Sequence, residues 1–65
     1  MKFRVETKPN TEGFSWRERE TVQVNAPNDR DGRLKVEAWA KNQYPNLEVW
    51  VSRVPDYFHT DKILD

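Results

Sequence analysis

The sequence predicts an α+β domain: a ββαβ chain with one helix packed on one face of a three-stranded antiparallel sheet. Three observations lead there. Two stretches near the start, Lys2 to Lys8 and Trp16 to Ala26, alternate with a period of two, as half-buried strands do. A stretch from Arg33 to Tyr44 repeats its apolar residues at helical spacing. A last alternating stretch, Leu47 to Val54, follows a proline. At 65 residues there is room for one domain.

The elements follow in order. In the first strand Phe3, Val5 and Thr7 share one side, and Lys2, Arg4, Glu6 and Lys8 the other. Pro9-Asn10-Thr11-Glu12-Gly13 is turn chemistry, so a long hairpin loop is expected. In the second strand Val22, Val24 and Ala26 share a side with Trp16, which is therefore expected in the core or as a loop anchor. Arg17, Arg19, Thr21 and Gln23 fall on the opposite side. Asn28 or Asp31 caps the helix that follows. Val36, Ala40 and Tyr44 form its apolar stripe, with Trp39 at the edge and Leu34 and Ala38 on the far side. Pro45 ends it, because a residue before proline avoids helical angles.

A right-handed crossover makes the third strand parallel to the second. It fits best beside the first, in the order 2-1-3. The helix then covers Phe3, Val5, Val22, Val24, Val49 and Val51, and leaves the other face to water. Residues 1–55 form this unit. Residues 56–65 form a tail, docked or flexible, with Tyr57, Phe58, Ile63 and Leu64 to bury on its own domain or on a partner.

Composition narrows the function. Basic and acidic residues balance at 11 each, so binding to nucleic acid through a strong overall field is not expected. Without cysteine there is neither a disulfide nor a thiolate zinc site. The apolar runs are too short for a membrane helix, no secretory leader is expected in MKFRVETK, and the expected location is the cytoplasm.

Catalytic chemistry finds little to work with. Nucleophilic catalysis needs a nucleophile with a base in reach. His59 is the only histidine, and neither Ser15 nor Ser52 sits in a nucleophile motif. Glu18 with Glu20 reads as charge balance for Arg17 and Arg19, and Asp29 with Asp31 as helix capping. Asp56, His59 and Asp61 match no metal-ligand spacing. The calcium-loop pattern starting at Asp29 fails because its twelfth position is Ala40. No enzyme, cofactor or metal is expected.

The open sheet face is the candidate site. By parity it carries Lys2, Arg4, Arg17 and Arg19 around Trp50, with Tyr57 and Phe58 of the tail near by. Tryptophan and arginine dominate protein interface hot spots. Two readings compete: Trp50 covers the stems of Arg4 and Lys2 or is itself covered by the Tyr57-Phe58 tail, or it is a contact residue. The expected function is a non-enzymatic protein-binding accessory module. The alternative is a nucleic-acid binder using the same basic and aromatic face. The expected partner is a protein, and an edge strand leaves the chain free to be a monomer or a homodimer. The plan looks like that of many small bacterial and phage-encoded proteins, some of which inhibit or adapt a host protein. This resemblance is architectural and transfers no residue role.

Overall fold

The computed structural model describes residues 1–65. Strands β1 (Lys2–Pro9) and β2 (Arg17–Val24) precede helix α1 (Asp29–Gln43), which is followed by β3 (Leu47–Val54) and β4 (Lys62–Leu64). The domain is α+β. The sheet order is β3-β1-β2-β4: β1 pairs antiparallel with both β2 and β3, while β4 pairs parallel with β2. The expected three-stranded antiparallel sheet is thus corrected to a mixed four-stranded one. Its fourth strand comes from the segment with no clear period, too short at 3 residues to show one.

The helix begins earlier than its apolar stripe. The Asn28 side chain accepts from the Asp31 amide at 2.9 Å, which makes Asn28 the cap and places Asp29 and Asp31 in the first turn. At the other end the Tyr44 amide still donates to the Ala40 carbonyl, and Pro45 stops the next turn. Phe3, Val5, Val22, Val24, Val36, Ala40 and Val51 form the buried core, with Met1, Trp39, Tyr44, Val49 and Leu64 packed around it. Gly32 is buried where the helix meets β1. A Cβ there would lie 2.7 Å from Met1 Sδ and 3.0 Å from Phe3 Cε1, so a larger residue would force those side chains to shift. Arg53 pairs with Asp29 and lies over the Phe3 ring, while Arg33 donates to the Val51 carbonyl; both tie α1 to β3.

The ladder between β1 and β2 is not regular. Phe3 opposes Val22 and Val5 opposes Glu20, but Glu6 then opposes Glu18, and Thr7 opposes Arg17. Arg19 is an extra residue, a β-bulge, and beyond it the parity of β2 reverses. No residue other than Gly13 has a positive φ, so the bulge needs no glycine. It turns two neighbours, Arg19 and Glu20, toward the helix side together. Arg19 Nε donates to the hydroxyl of the buried Thr7 at 2.8 Å, and its guanidinium lies 5.2 Å from the Tyr44 ring centre. The Tyr44 hydroxyl donates to both Glu20 carboxylate oxygens, at 3.0 and 2.9 Å.

β2, β3 and β4 run in one direction. The helix carries the chain from β2 to β3, and the return from β3 to β4 travels the opposite way across the sheet. Right-handed crossovers in opposite directions need opposite faces. The contacts agree. Lys2 Nζ donates to the Phe58 carbonyl, Thr60 lies 3.4 Å from the Gln23 side chain, and Val54, on the side away from the helix, is only 5% exposed. Thr21 and Asp61 clasp each other, amide to carboxylate and amide to carbonyl, both at 2.9 Å, just before β4 begins.

Candidate functional site

The face away from the helix has two halves. At the Val54 end, Lys2 and Gln23 lie beneath residues 55–61. At the other end no chain crosses, and Trp50 of β3 stands 56% exposed, directly opposite Glu6 of β1. Four residues separate Trp50 from Val54 along β3, roughly 13 Å of strand.

Trp50 does not stand alone. Its ring centre is 6.4 Å from that of Trp16, and the two planes tilt by 54°. Trp16 is 41% exposed, so of the two places expected for it, the core or a loop anchor, the core is corrected. The bulge is the reason: with Arg17 opposite Thr7 on the helix side, the residue before it belongs to the open side. The two indoles form a shallow V. Lys8 Nζ lies 5.3 Å from the Trp16 ring centre and 3.8 Å from Glu48, so one indole already holds a cation from its own chain.

The same reversal rearranges the charges. Arg17 and Arg19 were expected beside Trp50; both lie instead on the helix side of β2. Glu18 takes their place on the open face, where Arg4 Nη1 reaches it at 3.2 Å and Arg4 Nε reaches Glu6 at 3.7 Å. Around the tryptophans stand the carboxylates of Glu6, Glu18 and Glu48 against the cations of Arg4 and Lys8, and each cation already has a carboxylate partner. The surroundings of the tryptophans, expected to be basic, instead carry a small acidic excess.

Of the sequence-predicted site residues, the structure gathers Trp50 and Arg4. Lys2 and Phe58 are joined to each other at the far end of the face. Tyr57 is 85% exposed and tilted against Phe58, with ring centres 5.4 Å apart. Glu6 stands on the open side as parity placed it, while Trp16 and Glu18 are the residues that parity missed. Only the bulge brings them in, and no glycine or proline within β2 announces it.

Burial raises the Tyr44 hydroxyl above its ordinary value, and the hydrogen bond to Glu20 and that carboxylate's charge add to the shift, while Arg19 opposes it. Tyr44 lies on the other side of the sheet and serves the bulge. His59 is exposed on the tail, with its Nε2 3.4 Å from Asp61. No helix is long and apolar enough to cross a membrane. Comparison with family models, with curated proteins and with solved structures finds no match.

Proposed function

We propose that this protein is a non-catalytic protein-binding module, an inhibitor or adaptor, that engages its partner through the Trp16–Trp50 pair. One observation carries the reading: two half-exposed indoles stand side by side, Trp50 in β3 and Trp16 at the entry to β2. Water-exposed tryptophan is disfavoured in a free protein and concentrates at interface hot spots. Trp50 is set within β3, and Trp16 directly precedes β2 and packs against Trp50, so little side-chain freedom is lost when a partner closes over the pair.

The nucleic-acid alternative draws on the same aromatic pair but gains nothing from the charges. Arg4 and Lys8 are neutralised by neighbours, and Arg17 and Arg19 face the other way. The test is capture of a partner from the native host with the full chain, compared with Trp50→Ala and Trp16→Ala. Each variant is expected to fold and to weaken binding at least about 30-fold, the size of a hot-spot truncation. Undiminished capture by both variants would remove this surface from consideration.

A further inference from the structure

We infer that the partner presents a basic segment, and that one arginine of it stacks on Trp50 while its guanidinium is held by Glu6 and Glu18. This rests on the reading of the tryptophan pair as the contact surface and names what that surface selects.

The argument starts from a like-charge contact. Glu6 and Glu18 are directly opposed across β1 and β2. Carboxylates facing each other across a strand pair destabilise it. A single guanidinium, Arg4, serves both. Glu6 is also the direct cross-strand neighbour of Trp50 on its other side, so a carboxylate pair and an indole adjoin on one side of the sheet. Lys8 and Glu48 complete the surroundings of the tryptophans, and the shallow groove beside them, lined by Lys8, Asn10, Thr11, Glu12 and Glu48, adds a further carboxylate. The local balance is four carboxylates to two cations, and both cations are already paired.

An incoming anion would meet repulsion here, and an apolar segment would cover Glu6 and Glu18 without relieving them. A basic segment relieves both. Arginine fits better than lysine because its flat guanidinium stacks on an indole and still presents a fork of donors to a carboxylate. The protein already shows half of this arrangement with its own residues: Lys8 lies over Trp16 and is balanced by Glu48. Trp50 with Glu6 is the same pairing without a cation over the ring.

The test uses the full chain and three synthetic peptides of equal length, in which alanine alternates with arginine, with serine or with glutamate. Binding is read from the indole N–H resonances of Trp16 and Trp50. The arginine peptide is expected to shift both, more weakly at higher salt, and the other two to shift neither. Glu6→Gln and Glu18→Gln are each expected to weaken the arginine peptide about fivefold, as loss of one exposed charge contact would. Equal binding of the serine peptide, preference for the glutamate peptide, indifference to both substitutions, or no shift by the arginine peptide at millimolar concentration would each overturn the inference. The underlying reading fails differently: it falls if the arginine peptide binds Trp50→Ala as well as the parent chain, and survives if the serine peptide binds at the tryptophans.

Discussion

On the helix side of the sheet, Phe3, Val5, Val22, Val24 and Val51 are almost fully enclosed, and the one buried polar side chain, Thr7, has its hydroxyl bonded to Arg19. On the far side the same three strands carry charged residues and an exposed indole, and only the Val54 end is crossed by chain. One backbone holds both surfaces, yet they depend on different physics. The helix side concentrates the stability, through burial and close packing. The uncrossed Trp50 end of the far side buries little and is free to carry a contact surface. The bulge at Arg19 joins the two: its side chains complete the polar edge of the core, and its reversal of parity assembles the tryptophan pair on the other face.

The largest expected effect tests the first half of that contrast. Phe3→Ala empties the centre of the core and should cost about 3–5 kcal/mol. That is much of the total expected for a domain this size, roughly 3–10 kcal/mol. Urea unfolding followed by circular dichroism should show a largely unfolded chain.

Deleting Arg19 attacks the bulge. Without it, Glu18 and Glu20 would oppose Glu6 and Val5 through neighbouring positions of a regular ladder, and Trp16 would keep its side. The variant should fold, lose about 1–3 kcal/mol by leaving the enclosed Thr7 hydroxyl unpartnered, and retain contact between the two indoles. If the strand were regular in the parent chain, Trp16 would start on the helix side, and the deletion would instead carry it to the open face and create a contact with Trp50 that the parent lacks.

A smaller effect appears at high pH. The Tyr44 pKa is raised above its unfolded value of 10.0, so the folded chain holds that proton more tightly. The stability from this proton is therefore fully present below pH 10.0 and is lost as pH rises through the folded pKa. Unfolding free energy should fall more steeply with alkaline pH in the parent chain than in Tyr44→Phe. Parallel slopes would mean that the contact with Glu20 is absent in solution.

The smallest stability effect belongs to the exposed pair. Trp50→Ala should change unfolding free energy by about 1 kcal/mol or less, because its indole is more than half exposed and loses mainly its contact with Trp16. A loss near that of Phe3→Ala would show that the far face is part of the core.

The sequence carried the helix-side core well. Val22 with Val24, Val49 with Val51, and Val36 with Ala40 repeat at the period of their elements, and each pair packs as that period requires. Pro45 and Asn28 marked the helix ends through backbone chemistry that acts locally. Trp50 was legible as an apolar residue out of phase. β4 was not, since a three-residue parallel edge strand needs no alternation of its own and borrows its register from β2. The composition of the site was not legible either. Alternation assigns faces only while the ladder is regular, and one extra residue at Arg19 inverts every assignment before it. The forces that hold the bulge are long-range, reaching Thr7 on β1 and Tyr44 at the end of α1, so no window within β2 contains them.

The central claim is that the bulge places Trp16 beside Trp50 on the face away from the helix. A two-dimensional nuclear Overhauser spectrum of the full chain tests it directly. Cross-peaks between the two indole rings, with none from Trp16 to Val36 or Tyr44, are the expected result. Trp16 in contact with Val36 or Tyr44, and silent toward Trp50, would contradict it.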